Sequence, residues 1–421
     1  MAPPGIGAAG ILGIAREVLL PPVQSALATA TTGGTITAGT YRYVVTAINA
    51  SGETTASNEQ TITTTGATST VTVTWVAVTG ATGYKLYKTA AGGGTGTELL
   101  YKTVGLVTTD VDTTPGTPTG AFPSTNTASN SGVYVAPTKF IPFMSESLTS
   151  TQATIWRRPI RQSADIIGAV PGNFNVAGDI SIEGMEDCVV YFLFGSRMSI
   201  AKTGTTNYTY TCTPTANAIP NNTLSITVVR NGTVFGFTGC VVTSQTFTQN
   251  DGIFMYNLSI IGRDEAAQTL PTPTWPTTVP FGAGQWSIEI PTGTPVFDTD
   301  TFEFTIDDGA DPQFRLKSTT RGADFIKYGE RALTMTMERD FLDRTDFDAF
   351  KALTSQTITI TASKGANNSI SLNAPAAIKD TYEVTNSGQG DLVRASLAYN
   401  GVIDGTGKSY QITLKTQENV L

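Results

Sequence analysis

Between residues 176 and 183 the chain reads VAGDISIE, and between 332 and 338 it reads ALTMTME. Apolar and polar side chains alternate in both stretches. A strand sends successive side chains to opposite faces, so this period of two defines one buried face and one wet face. Val176, Ile180 and Ile182 are expected in a core, as are Leu333, Met335 and Met337. Asp179, Ser181 and Glu183 then share the opposite face of the first strand, and Thr334, Thr336 and Glu338 that of the second. The surroundings repeat as well. A basic loop with Arg157, Arg158 and Arg161 precedes the first strand, and a polar loop precedes the second. A short helix, a strand hairpin and a long strand follow each. In the second helix Asp343 or Thr345 can cap, Asp346 and Asp348 favour the first turn, and Phe347, Phe350 and Leu353 fall on one face. The first helix starts at Glu186 and Asp187 and stops at Gly195. The unit is duplicated by pattern, not by residue identity.

The rest of the composition agrees with strands. Thr, Gly, Val and Ile are abundant, and only 14% of residues are charged. So sparse a charge suggests a surface partly covered by other subunits. A chain of 421 residues exceeds one core, so several domains are expected. The net charge of −8 disfavours tight nucleic-acid binding, which calls for a basic patch. The apolar N-terminal stretch lacks a basic start and is broken by Arg16 and Glu17, so it does not read as a signal peptide. No run approaches the roughly 18 apolar residues that span a bilayer, so no membrane partner is expected.

Catalytic chemistry finds little to work with. The chain has no histidine, which removes Ser-His-Asp and Cys-His systems and imidazole metal ligands. Cys188, Cys212 and Cys240 are too widely spaced for a zinc site and read as buried apolar residues. Asp307, Asp308 and Asp311 lack the spacing of a calcium loop and read as a solvated turn. Lys364-Gly365 has no glycine-rich phosphate loop before it. Glu183, Glu186 and Asp187 are accounted for by a helix start. Neither an enzyme nor a cofactor is expected. The three arginines and Trp156 read as a contact with carboxylates of another subunit.

In chain order, residues 1–20 form an N-terminal arm. Residues 21–111 differ in composition, being rich in Thr and Gly, with alternating runs at 40–49, 69–78 and 83–89 separated by turns. They read as an antiparallel sandwich with Tyr43, Trp75, Tyr84 and Leu86 in its core. The wording resembles fibronectin type III and immunoglobulin-like modules, with the order of the Trp and Tyr strands reversed. Either a permuted module or an immunoglobulin-like sandwich with convergent wording fits. A Thr/Pro/Ser linker spans 112–132, and the first duplicated unit spans 133–268. Its strands are expected at 175–183, 208–213, 224–230, 234–243, 246–249 and 253–262, with an Asn231-Gly232 hairpin turn. A Pro-rich connector covers 269–286. The second unit spans 287–421, with strands at 302–306, 332–338, 357–362, 369–373, 380–387, 392–399 and 410–416.

Several segments resemble tail tube proteins of long-tailed phages, especially those of actinobacterial hosts. They are GIGAAGILGIA from Gly5, VYVAPTKFIPFMSESL from Val133 and IWRRPIRQSADIIGAVPGN from Ile155. RNGTVFGF, IIGRDEA, PTWPTTVPFGAG, FIKYGERALTMTMERDF, TASKGANNSI and KTQ add to them. In that family the arm runs almost straight into the Tyr-Val-Ala-Pro-Thr segment. Here Gly13–Glu17 and Tyr134–Thr138 are separated by the sandwich, which reads as an insertion projecting from the tube exterior. The resemblance implies a mainly β fold: two tandem tail-tube-type sandwich or barrel units, each with a short helix, plus the inserted immunoglobulin-like sandwich. It implies a structural virion protein of the tail tube that self-assembles into stacked rings, the conduit for genome ejection. Family members with one such unit form six-membered rings, so two units imply trimeric, pseudo-hexameric rings, with hexamers the alternative. Implied partners are further copies, the tape measure protein, other tail proteins, and phage DNA passing without specific binding. Asp179, Ser181, Glu183, Thr334, Thr336 and Glu338 would face the lumen. Trp156, Arg157, Arg158 and Arg161 would make ring or stacking contacts. A phage or bacterial surface adhesin or carbohydrate-binding protein is the competing reading.

Overall fold

The computed structural model describes residues 10–114, 119–124, 126–129, 131–159, 165–215, 223–250, 252–315, 322–386 and 388–420. The chain divides into two compact units, one of residues 1–16 and 134–420 and one built around 17–133. The first opens with β1 (Ile11–Arg16). The second holds β2 (Ala28–Ala30), β3 (Gly39–Asn49), β4 (Gly52–Glu53), β5 (Gln60–Thr64), β6 (Thr70–Thr74), β7 (Gly83–Lys88), β8 (Leu99–Val104) and β9 (Thr109–Asp112).

In the second unit β4, β3, β7 and β8 pair in that order, with β5 also on β3, and β2, β6 and β9 form a separate sheet. Tyr43, Trp75, Tyr84 and Leu86 are buried between them, as their alternation requires. Parts of 112–132 expected as a linker pack here as well. Ala128 is in the core, and its carbonyl accepts from Leu19 N at 2.9 Å. Lys88 and Asp112 form a buried ion pair at 2.7 Å, and Tyr43 Oη donates to the same carboxylate at 2.8 Å.

The first unit resumes with β10 (Lys139–Phe140), β11 (Ser145–Glu146), β12 (Thr149–Arg157) and β13 (Gly168–Glu183). Helix α1 (Glu186–Leu193) follows, then β14 (Met198–Thr203), β15 (Tyr208–Pro214), β16 (Leu224–Arg230), β17 (Thr233–Asn250), β18 (Ile253–Gly262) and β19 (Asp264–Ala267). Next come β20 (Trp286–Glu289), β21 (Pro295–Val296), β22 (Thr299–Asp307), β23 (Ala310–Gln313), β24 (Phe325–Tyr328) and β25 (Ala332–Asp340). Helix α2 (Thr345–Lys351), β26 (Ser355–Ser363), β27 (Ser369–Thr385), β28 (Arg394–Gly401) and β29 (Gln411–Thr416) complete it.

One succession of antiparallel pairings occurs twice. In the first pass β1 pairs with β16, β16 with the start of β17, the end of β17 with β18, β18 with β13, and β13 with β12. In the second pass β20 pairs with β26, β26 with β27, the end of β27 with β28, β28 with β25, and β25 with β22. Even the irregularities correspond. Register shifts at Leu224/Ile226 and Val242/Ser244 in the first pass match those at Gln356/Ile358 and Lys379/Thr381 in the second. Strand β17 then pairs with β22, so the two passes share one sheet.

Some expectations change. The stretches 234–243 and 246–249 are one strand, and 369–373 and 380–385 share another, while residue 387 of the expected strand lies outside the described residues. In each a bulge bends a continuous strand, and the interrupted alternation reads as a break in the sequence. Arg157 ends β12 instead of lying in a loop, because β12 and β13 make a long hairpin. Asn231 and Gly232 both have positive φ, the conformation a two-residue hairpin turn demands. In α2 Arg344 is the N-cap, and Asp343 instead accepts from Thr345 N at 2.8 Å. Phe347 and Phe350 pack on Tyr382, whereas Leu353 is 65% exposed.

In the sandwich, Glu98 is buried beside Glu59, which pairs with Arg42. Burial first, and the Glu59 carboxylate second, push the Glu98 carboxyl up to about 7 from its ordinary 4.5. An acid whose pKa rises on folding stabilises the fold fully below its unfolded value and loses that contribution as pH rises through the folded value. The sandwich is therefore expected to melt at lower temperature at pH 8 than at pH 5. Glu98→Gln should flatten that dependence in thermal unfolding; a variant as pH-sensitive as wild type would refute the assignment.

Candidate functional site

The register across the joined sheet lines up side chains in rows. Asp179 lies opposite Ser259, Ser259 opposite Ser244, Ser244 opposite Asp307, and Asp307 opposite Ala332. The next row runs Ser181, Asn257, Thr246, Thr305, Thr334 and Asn400. A third runs Glu183, Met255, Thr248, Glu303, Thr336 and Ala398. Glu338 starts a fourth, opposite Thr301 and Ser396. All six residues singled out by alternation thus share one face of one sheet, although two passes of the chain contribute them.

Hydrogen bonds knit the face together. Ser259 Oγ donates to Asp179 Oδ1 at 2.7 Å, and Ser181 Oγ donates to Asn257 Oδ1 at 2.6 Å. The Thr246 and Thr305 hydroxyls are 2.9 Å apart. Asp179, Glu303, Asp307, Thr334, Thr336 and Glu383 are exposed, and Ser181, Glu183 and Glu338 half-buried. Arg394 brings positive charge to the face but is held by Asp300, with Glu338 at 3.8 Å. The face is therefore small, polar and acidic.

The other face is the core. Val176, Ile180, Ile182, Leu333, Met335 and Met337 are all buried there, as expected. Phe247 stacks on Tyr256 with centroids 4.6 Å apart, and Gln245 accepts from Tyr256 Oη at 2.8 Å.

The contact candidates lie elsewhere. Trp156 is 57% exposed, and Arg157 and Arg158 are exposed beside it at the far end of the β12–β13 hairpin. Ile155 and Val170 face one another on the same hairpin and are exposed. Arg161 lies outside the described residues.

Buried charge escapes sequence reasoning. Glu186 and Asp187 do begin α1, but both are buried and paired. Lys364 Nζ lies 2.8 Å from Glu186, and Asn368 Nδ2 donates to it at 2.5 Å. Lys139 binds Asp187 at 3.0 Å and Glu418 at 3.1 Å. Asp308, expected in a solvated turn, is buried, takes Arg331 at 2.7 Å and accepts from Arg197 N at 3.2 Å. Helix-start and turn rules describe neighbours in sequence, while Glu186 and Lys364 meet across 178 positions. No local spacing signals such a pair.

Fold and face define a mainly β protein with one polar sheet face to which both passes of the chain contribute. Among the described residues no cluster of His, Cys, Asp or Glu is arranged to hold a metal. The family described as phage tail tube protein matches residues 102–401. That is well over half of the chain, and the chain belongs to this family. It is accordingly a structural protein of the virion's tail tube. No curated protein matches the chain.

The Glu186 pair gives a stability test. Lys364→Ala leaves a buried carboxylate without its cation, which typically costs about 3–5 kcal/mol. Urea unfolding should show that loss, and Lys364→Met with Glu186→Leu should recover most of it. Equal stability of Lys364→Ala and wild type would refute the pairing.

Proposed function

We propose that the chain self-assembles into stacked rings whose inner wall is the polar sheet face and that the genome leaves through the resulting tube. The supporting observation is the continuity of that face across both passes of the chain. A sheet that closes with its neighbours has no exposed edges, and alternation turns one side to the lumen. Asp179, Ser181, Glu183, Thr334, Thr336 and Glu338 then line the channel. Small hydroxyls and carboxylates dominate the face and its Arg394 is held by Asp300, so DNA passes without sticking. Each chain supplies two wall units, which favours three chains per ring over six. The tape measure protein and other tail proteins are further partners, and Trp156, Arg157 and Arg158 contact adjoining copies. The 17–133 unit, an immunoglobulin-like insertion on this reading, stands outside the wall.

Three measurements test this. The smallest ring in native mass spectrometry is expected at three times 44.3 kDa; a six-chain species would overturn the trimer. Glu183→Lys with Glu338→Lys should slow genome ejection from assembled virions, and unchanged kinetics would refute the lumen assignment. Deleting 21–132 should leave tubes visible by negative stain, and their loss would show that the insertion belongs to the wall.

A further inference from the structure

The joint inside the chain provides a template for the joint between chains. In the first pass the end of β17 carries β22 on its free edge, with Ser244 opposite Asp307 and Thr248 opposite Glu303. The corresponding end of β27, residues 379–385, pairs only with β28 among the described residues. The strand corresponding to β22 is β12, which pairs only with β13 among them. One copy of the chain therefore has an open β27 edge and an open β12 edge, the two halves of a joint that it makes once internally.

The two passes correspond residue by residue. Ser244 and Thr381 both follow the bulge. Asp307 lies opposite Ala332 and Thr305 opposite Thr334, while Thr151 lies opposite Asn175 and Thr149 opposite Ala177. Through β18 and β28, Ala177 corresponds to Thr334 and Asn175 to Ala332. Thr151 therefore takes the place of Asp307, and Gln152 that of Asp308.

A second contact accompanies the internal joint. The turn after α1 meets the base of the β22–β25 connection: Arg197 N donates to Asp308, Arg197 Nη1 to Gly329 O at 3.0 Å, and Arg331 to Arg197 O at 2.7 Å. Among the described residues the turn after α2 has no such cover. Leu353 follows the cap of α2 as Gly195 follows that of α1. It is 65% exposed and has φ +50°. That conformation favours Gly or Asn after a helix, and an exposed leucine pays for both its backbone and its wetting. The equivalents of Gly329 and Arg331 are Gly172 and Phe174, at the base of the β12–β13 hairpin beside Ala153 and Ile155.

We infer that the β27 edge of one copy takes residues 147–151 of the next with Thr381 opposite Thr151, and that Leu353 seats on that copy's Gly172 and Phe174. The partner is a second copy of this chain. The inference rests on the ring reading above and specifies its register. Closure then repeats one strand pairing around the ring, with the chain running on across the joint inside each copy and a chain break at each joint between copies.

Thr381→Cys with Thr151→Cys tests the register; both residues are exposed, and the three native cysteines are buried. Mild oxidation of assembled rings should give covalent oligomers ending at the ring number. Thr381→Cys with Ala153→Cys, displaced by two residues, should stay uncrosslinked. Rings that crosslink only with the displaced pair, or with neither, overturn the register and leave the ring reading standing. Should the cysteine variants not assemble, Leu353→Glu decides: a folded protein with ring formation reduced at least tenfold supports the seat, and undiminished rings overturn it. Absence of rings from wild type itself would sink the ring reading, and this inference with it.

Discussion

The structure depends on two long strands that each change partner along their length. Strand β17 gives its first residues to β16 and its last to β18, and β27 divides itself between β26 and β28 in the same way. A straight strand cannot do this. The bulges at Val242/Ser244 and Lys379/Thr381 bend the chain and restore the alternation beyond the bend. Without that restoration the end of β17 would turn its apolar side chains to the wet face, since a one-residue slip exchanges the faces. Gln245, Phe247 and the rows above Ser244 and Thr246 all inherit their orientation from this one irregularity.

This explains what the sequence makes legible. Faces follow from period two, so Val176, Ile180, Ile182, Leu333, Met335 and Met337 can be placed in the core and their neighbours on one wet face. Strand ends at sharp turns are equally plain, as at Arg230-Asn231-Gly232-Thr233. A bulge, by contrast, carries no residue signature. Thr243 and Asp380 look like ordinary strand positions, and the extra residue shows only once the partner strand is known. The sharing of one sheet by both passes is hidden for the same reason, because β17 and β22 are separated by intervening strands and a Pro-rich stretch. Leu353 shows the limit of helical spacing: it has the right period with Phe347 and Phe350, but α2 ends before it.

Buried charges follow a different logic. Glu186, Asp187, Asp308 and Lys379 are each removed from water and each matched to a cation or an anion. A matched pair is roughly neutral in net stability, while a broken one is costly, so these pairs oppose wrong arrangements more than they strengthen the right one. Their placement agrees with that role. Glu186 with Lys364 and Asp308 with Arg331 and the Arg197 backbone tie the first pass of the chain to the second, where a mispaired sheet would otherwise find many acceptable registers among Thr- and Ser-rich strands.

The internal joint differs in charge from the one inferred between copies. Within the chain, Asp308 and Arg331 fold together and never face water as an exposed, unpaired surface. Their counterparts at the open edge are Gln152 and Phe174, neither of them charged. A surface that must stay soluble before assembly and dry afterwards loses its hydration at the moment of contact, and desolvating charges then subtracts directly from association. Thr149, Thr151, Ala153 and Thr381 are small and carry no charge, so these positions can be buried at little cost, while Glu383 lies on the wet face. The duplication thus keeps one strand geometry for both joints and changes the side chains at its base: Asp308 with Arg331 where the chain is continuous, Gln152 with Phe174 where separate copies must meet.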